Sequence, residues 1–168
     1  GKSTIIQLLT RQIEPQSGEI LIDGNNINEC NLDELRKRTS VVPQDVFLFS
    51  DTIKNNIAFG LNEGNASEEI LIDVTKQAHV YHNIVEFKSG FDTLLGERGV
   101  NLSGGQKQRI SIARALIRKP DILILDDCLS AVDTETEEII LRNFKNMNDV
   151  TSMIVSHRVS SIRNASRI

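Results

Sequence analysis

The sequence lacks several features on which large classes of protein depend. It has no tryptophan, one tyrosine and two cysteines, Cys30 and Cys128. Two distant cysteines without metal-ligand spacing exclude a disulfide framework and a zinc site, and they predict reduced thiols in a cytosolic protein. No apolar run approaches the roughly 18 residues of a membrane span, and no signal peptide opens the chain. Any link to a membrane must therefore come from another segment.

An excess of positive charge is absent as well. The 168 residues carry 19 Lys and Arg against 23 Asp and Glu, and only 4% of them are aromatic. Because this composition offers no basic surface of the kind that binds nucleic acid, we expect no nucleic-acid partner. The length suits about one domain with a real core. The sequence opens on Gly1 rather than methionine, so we interpret it as a fragment. We expect the fragment to fold poorly alone, because a strand of its sheet should precede Gly1 and its absence leaves backbone groups unpaired.

The stretch 101–133 organises the chain. A polar turn at 102–106 precedes a helix, and the apolar run 122–125 then ends in two aspartates. Ser103 and Gln106 fit a capping box, which opens many ordinary helices. The five residues Leu-Ser-Gly-Gly-Gln, however, should arise by chance with a probability on the order of 10⁻⁴. Glycines at a helix start allow close approach of a ligand, so the turn predicts an anion site.

Hydrophobic periodicity predicts strands and helices in alternation. Strands are predicted at 18–24, 40–43, 122–125 and 151–155. Helices are predicted before Pro15 and at 32–38, 67–78, 104–119 and 134–146, with Asn31 and Asp133 as caps. The helix after Ser103 has an apolar packing face formed by Ile110, Ala113, Leu116 and Ile117. Its basic residues are expected to be mostly solvated, namely Lys107, Arg109, Arg114 and Arg118.

Three polar residues follow three of the predicted strands. They are Gln44, Asp126 and His157. Because ligands bind at the carboxyl ends of the strands in open α/β sheets, these side chains are predicted to share one site. Each residue alone would suit an ordinary loop or strand end, so their convergence carries the prediction.

Together these stretches resemble the ATP-binding-cassette (ABC) ATPases. Residues 1–4 are similar to the end of the phosphate-binding loop, 44–49 to the Q-loop and 102–106 to the signature motif. Residues 122–127 are similar to the Walker B strand, 128–133 to the D-loop, and His157 to the switch histidine. The resemblance implies an α/β fold: a P-loop NTPase core with a parallel sheet and an inserted α-helical subdomain, its N-terminal strands missing. Residues 1–49 and 120–168 would form a partial RecA-like core, and 50–119 the helical subdomain with the signature motif.

The resemblance also implies roles for individual residues. Those expected to bind nucleotide are Gly1, Lys2, Ser3 and Thr4. Those expected at the catalytic centre are Asp127, His157 and Gln44, with Mg²⁺ held by Ser3, Gln44 and Asp126. The signature residues expected to grip ATP on a partner subunit are Ser103, Gly104, Gly105 and Gln106. Asp133 would lie in the D-loop that crosses to that subunit.

ATP and Mg²⁺ are thus the expected cofactors, and the expected partners are a transmembrane domain and a second nucleotide-binding domain. This implies a place at the cytoplasmic face of the plasma (inner) membrane. The run Glu97-Arg98-Gly99 resembles a loop of exporters, which favours an exporter over a soluble ABC ATPase of translation or DNA repair. Phe47 and Phe49 suit either the core or a groove for the membrane domain.

Asp127 departs from the family pattern, which has glutamate at this position. Loss of one methylene withdraws the carboxylate by about 1.5 Å. General-base assistance is typically worth about 10²–10⁴-fold, so this site is expected to turn over slowly. The chain therefore resembles the degenerate half of a heterodimeric exporter. A homodimer with a slower working aspartate and a regulatory nucleotide sensor without hydrolysis remain as alternatives.

Overall fold

The computed structural model describes residues 1–61, 65–96, 101–147, 149–163 and 165–167. The helices are α1 Lys2–Leu9, α2 Leu32–Arg38, α3 Ile53–Ala58, α4 Glu68–Gln77, α5 Tyr81–Glu86, α6 Gly104–Leu116, α7 Thr134–Lys145 and α8 Val159–Ile162, with a short 3₁₀ helix at Gly90–Asp92. The strands are β1 Leu21–Ile22, β2 Asn25–Asn26, β3 Thr39–Val42, β4 Ile122–Asp126 and β5 Thr151–Val155.

A parallel sheet with the order β3-β4-β5 forms the centre of the fold. Val42 pairs with Leu125, and Asp126 pairs with Val155, so the three strands end at one edge. The middle strand is buried on both faces, which explains its continuous apolar run. The predicted α/β class with a parallel sheet is confirmed.

The predicted strand at 18–24 is shorter than expected. Only Leu21 and Ile22 pair, with the two residues of β2. Gly18 has a left-handed backbone with φ 80, which interrupts the extended chain before β1. The predicted turn is present, because Asp23 and Gly24 have φ of 52° and 78°, as a tight hairpin requires.

Side-chain caps fix the starts of five helices, including α6, which is described with the 102–106 turn below. The carboxamide oxygen of Asn31 accepts from the backbone N–H groups of Asp33 and Glu34, and Ser67 caps α4. The carboxylate of Asp133 accepts the Thr136 N–H at 2.9 Å, and this bond lowers the pKa of Asp133. These caps confirm the predicted helix starts after Asn31 and Asp133. Thr52, which caps α3, was not predicted.

Helix α6 packs its predicted apolar face into the core, and Ile110, Ala113, Leu116 and Ile117 are all buried. The expectation of solvated charges on this helix was wrong for two arginines. Arg114 donates to the carbonyl oxygens of Asn56 and Phe47 at 2.7 and 2.9 Å, and Arg109 donates to the carbonyl oxygens of Gly105 and His79. Burial lowers the pKa of both guanidinium groups. A guanidinium has five N–H donors, so it can satisfy loop carbonyls that lack a backbone partner.

Within the described ranges, no helix is both long and apolar enough to cross a membrane.

Candidate functional site

A lysine, a carboxylate and an imidazole meet at the carboxyl edge of the sheet. The ammonium of Lys2 lies 3.3 Å from Nδ1 of His157 and donates to the Ser156 carbonyl oxygen at 3.1 Å. Oδ1 of Asp127 accepts the backbone N–H of His157 at 3.4 Å and lies 3.5 Å from the Ser156 hydroxyl. Three groups that are distant in sequence therefore form one polar cluster, at the edge where such sheets bind ligands.

The backbone at Asp127 explains how its carboxylate reaches this cluster. Its N–H donates to the Val155 carbonyl oxygen at 2.7 Å, which extends the pairing of β4 with β5 by one residue. Its φ is then 46°, a left-handed conformation that aspartate tolerates better than most side chains. The chain turns sharply there, and the carboxylate stays beside the residues that follow β5.

The oxygen groups expected to hold Mg²⁺ lie around the same edge. Asp126 is half-buried at the end of β4, Ser3 is exposed on the first turn of α1, and Gln44 is exposed just beyond β3. The described part of the chain has no cluster of three or more His, Cys, Asp or Glu that could hold a metal alone. Mg²⁺ fits such an open set, since it usually takes one or two protein oxygens together with water and phosphate.

The other residues of the predicted nucleotide loop also lie at the start of α1. Gly1 and Thr4 are exposed, and the Thr4 hydroxyl accepts from the Gly1 amine at 3.2 Å. The first-turn N–H groups of this helix lack acidic neighbours in the turn. A helix start of this kind favours an anion.

The turn 102–106, which we call the signature turn, forms the predicted capping box. Ser103 N–H donates to Oε1 of Gln106 at 2.9 Å, and Gln106 N–H donates to the Ser103 hydroxyl at 3.2 Å. Gly104 is exposed and Gly105 is half-buried. A Cβ on Gly105 would lie 2.9 Å from the carbonyl oxygen of Ala131, so this glycine is required by the neighbouring loop. The sequence suggested close approach of a ligand, but here the contact at Gly105 is within the chain.

That neighbouring loop, 128–133, is held from two sides by side chains that sequence reasoning missed. Gln108 of α6 bonds to Ser130 and Ala131, while Arg158 bonds to the carbonyl oxygens of Ser130 and Val132. Arg158 also pairs with buried Glu137 at 3.0 Å. A signal was available, because each residue precedes an apolar residue one helical turn later, Ile112 after Gln108 and Ile140 after Glu137.

Cys128 opens the same loop and is buried. Burial raises the pKa of its thiol to about 12, and the charges of Asp127 and Asp126 act in the same direction. The thiol is therefore an inert part of the core rather than a nucleophile of the site.

A separate surface carries three aromatic rings, which we call the phenylalanine patch: Phe47, Phe49 and Phe59. The side chains are 55%, 37% and 64% exposed, and successive ring centroids lie 5.0 and 4.6 Å apart. Of the two alternatives for Phe47 and Phe49, a place in the core is excluded by this exposure. The Arg114 guanidinium lies 5.6 Å from the centroid of the Phe49 ring and donates to the Phe47 carbonyl oxygen at 2.9 Å. Phe47 and Phe59 border a cavity of about 470 Å³ between α2, β3 and α6.

The run Glu97-Arg98-Gly99, which favoured an exporter in the sequence, lies outside the described residues.

Comparison with known proteins gives concordant results. The profile of a family described as ABC transporter matches residues 1–130. The chain is 46% identical over 170 residues to Multidrug resistance protein 3 of Entamoeba histolytica, and 48% identical over 169 residues to an ATP-dependent lipid A-core flippase of Pectobacterium atrosepticum. Each alignment covers 100% of this chain but only 13% and 29% of those relatives.

A solved structure, described as a bacterial Atm1-family ABC exporter with ATP bound, superposes with a TM-score of 0.90 at 44% identity. The match covers 96% of this chain and 28% of that one. The chain thus spans less than a third of the relatives it matches. Since the family profile covers most of its length, and the fold and the motif positions agree, the chain belongs to the ABC transporter family.

Proposed function

We propose that this chain is part of the ATP-binding and ATP-hydrolysing domain of an ABC exporter, in which two such domains close around ATP to drive transport. The observation that supports this proposal most directly is the cluster at the sheet edge. There the Lys2 ammonium lies 3.3 Å from Nδ1 of His157, and the Asp127 carboxylate accepts the His157 backbone N–H. Membership of the ABC transporter family supports the same conclusion, as do two of the relatives, a multidrug resistance protein and an ATP-dependent lipid A-core flippase.

Phosphoryl transfer to water requires charge neutralisation and a held nucleophile, with little covalent chemistry from the protein. Lys2 and the first-turn N–H groups of α1 would bind phosphate oxygens, and His157 would hydrogen-bond the terminal phosphate. Asp127 and Gln44 would orient the attacking water. Ser3 and Asp126 would hold Mg²⁺, which neutralises phosphate charge when it is bound.

A second nucleotide-binding domain completes the proposal. The exposed residues of the 102–106 turn and of the 128–133 loop lie side by side, and Gly104 approaches Ala131 closely. We propose that this face contacts ATP held by the partner domain, through Ser103, Gly104, Gly105 and Gln106 of the turn and Asp133 of the loop. ATP would then join the two domains, and hydrolysis would release them.

The phenylalanine patch is the proposed contact with the transmembrane domain. Its exposed rings beside a cavity suit a protein interface, because the surfaces of monomeric soluble proteins rarely carry several exposed aromatic side chains in contact. The domain would then lie at the cytoplasmic face of the membrane, with 50–119 as its helical subdomain. A soluble ABC ATPase remains the alternative, and it has no need of such a patch.

The first experiment measures ATP hydrolysis by the purified full-length transporter in lipid vesicles. Lys2→Met should lower kcat/KM for turnover at this site by roughly 10²-fold or more, since the lysine provides charge at the phosphates. Lys145→Met, at an exposed lysine of α7, is the matched control and should behave as wild type. Equal turnover at this site in Lys2→Met and wild type would contradict the proposed role of Lys2.

A slow own site is the second part of the proposal, because the shorter Asp127 replaces the usual glutamate. Asp127→Glu should raise turnover at this site by about 10²-fold or more if general-base assistance is restored. Unchanged turnover at this site in Asp127→Glu would contradict the degenerate-site hypothesis. It would favour a homodimer in which the aspartate supports hydrolysis. No ATP consumption at all by a purified homodimer would favour a regulatory sensor instead.

A further inference from the structure

The 128–133 loop lies between two buried polar side chains that belong to different helices. Gln108 on α6 is 6% exposed and Glu137 on α7 is 1% exposed. Each lies on the packing face of its helix, where an apolar residue would be expected. Burial of an amide or a carboxylate is unfavourable unless its polar atoms are paired, so their partners define what these residues do.

Gln108 uses both ends of its amide on the loop. Its Oε1 accepts the Ala131 N–H at 3.0 Å, and its Nε2 donates to the Ser130 hydroxyl at 3.2 Å. The same helix begins at the 102–106 turn, one turn before Gln108. A shift of that turn therefore moves the backbone of the loop directly.

Arg158 holds the other side of the loop. Its guanidinium donates to the carbonyl oxygens of Ser130 and Val132, the latter at 3.0 Å, and to Glu137 at 3.0 Å. Glu137 also accepts from the hydroxyls of Ser160 and Ser161. Arg158 directly follows His157, so the loop and the histidine are joined through one short segment.

We propose that Gln108 and Arg158 are positioning residues for ATP hydrolysis, which transmit the placement of the signature turn through the 128–133 loop to His157 and Asp127. The inference rests on the proposed function, because it requires that these two groups act on ATP. Neither positioning residue lies in the cluster around Lys2. They act by fixing the 128–133 loop, which directly follows Asp127 of that cluster.

A purely structural role gives a different expectation. Substitution of residues that only stabilise the fold should lower the melting temperature and leave kcat of the folded transporter unchanged. Substitutions that act on the rate independently of each other should have effects that multiply. Residues that hold one loop from two sides are coupled, so the second substitution adds little once the first has released the loop. The kcat values of the single and double variants therefore distinguish a positioning role from a purely structural one.

The experiment uses the full-length transporter in lipid vesicles, with ATP hydrolysis measured against ATP concentration. The variants are Gln108→Met, which keeps the length of the side chain without its hydrogen bonds, Arg158→Lys, which keeps the charge beside Glu137, and the double variant. Gln77→Met is the matched control, since the Gln77 side-chain amide bonds to the exposed Asp73. Arg142→Lys, at an exposed position of α7, controls for the arginine change.

Each single variant should lower kcat by roughly 10–10²-fold, as expected when catalytic groups are misplaced by about 1 Å. KM should stay within about threefold of wild type, because ATP binding itself is unchanged. The double variant should be no slower than the slower single variant. Both controls should match wild type.

Wild-type kcat in Gln108→Met, or losses that multiply in the double variant, would overturn this inference alone. A wild-type transporter without ATP hydrolysis would overturn the proposed function instead. If Gln108→Met is not recovered folded, Arg158→Lys decides by the same kcat and KM criterion, because its retained cation still faces Glu137.

Discussion

Substitution of the two neighbouring glycines of the signature turn tests the packing of the 128–133 loop. Gly104 and Gly105 both have helical backbone, so alanine is allowed at each by conformation. A Cβ on Gly104 would meet the Ala131 Cβ at 3.3 Å, whereas a Cβ on Gly105 would meet the Ala131 carbonyl oxygen at 2.9 Å. The first contact is tight but can be relieved by a shift of a few tenths of an ångström, whereas the second is closer than a Cβ comes to a backbone oxygen, so the backbone must move.

The expected magnitude follows from two opposing terms. Glycine to alanine in a helix gains roughly 1 kcal/mol, partly because alanine restricts the unfolded chain. That unfolded-state term is the same for both variants, so it cancels in their difference. Overpacking costs about 1–3 kcal/mol, and Ala131 cannot retreat freely because Gln108 holds its N–H. We expect Gly105→Ala to be less stable than Gly104→Ala by about 2 kcal/mol.

Urea unfolding of the complete nucleotide-binding domain, followed by circular dichroism, measures this difference. The two variants should have equal m-values and a lower midpoint for Gly105→Ala. Equal midpoints, or a higher midpoint for Gly105→Ala, would refute the packing argument. Such a result would leave ligand approach as the reason for this glycine.

Three further predictions concern single side chains. Asn56→Ala should lower the free energy of unfolding in urea by about 2–4 kcal/mol, since the buried Asn56 amide pairs with the Phe49 backbone and with Arg114. The control Asn55→Ala, at an exposed site, should lower it by under about 1 kcal/mol. Similar losses in the two variants would contradict this prediction. Iodoacetamide at pH 8 should label Cys30 and leave Cys128 unmodified in the folded domain, because the Cys128 pKa is about 12; mass spectrometry showing equal labelling would refute it. Burial lowers the pKa of His79 below 6.5, so the unfolded chain binds more protons than the folded chain near that pH. The free energy of unfolding should therefore fall as the pH drops through about 6.5. A His79→Gln variant with the same pH dependence of stability as wild type would contradict this prediction.

Local rules predicted much of this fold. The caps at Asn31 and Asp133 depend on a side chain and an N–H group two or three residues away, so they can be identified in sequence. The buried middle strand was equally visible as a continuous apolar run. The rule that parallel strands present their carboxyl ends together located Gln44, Asp126 and His157 at one edge.

Features that depend on distant partners were not predictable in this way. Arg114 was expected in solvent because its charge lies on a helix, yet its partner Asn56 is 58 residues away. The need for glycine at position 105 likewise comes from Ala131, a neighbour only in space. The short β1 depends on the backbone of Gly18, whose conformation sequence periodicity does not reveal. Roles of the site residues in ATP chemistry remain predictions that the experiments above test.

Helix α6 is continuous from Gly104 to Leu116, with the signature turn at one end and Arg114 near the other. Ten residues at 1.5 Å each separate Gly104 from Arg114, a span of about 15 Å. A tilt of about 10° around the first turn would therefore displace Arg114 by roughly 2.6 Å, which is more than a hydrogen bond to the Phe47 and Asn56 carbonyls tolerates. Because the helix is continuous, a small change of its angle at the 102–106 turn would become a displacement of a few ångströms beside the phenylalanine patch.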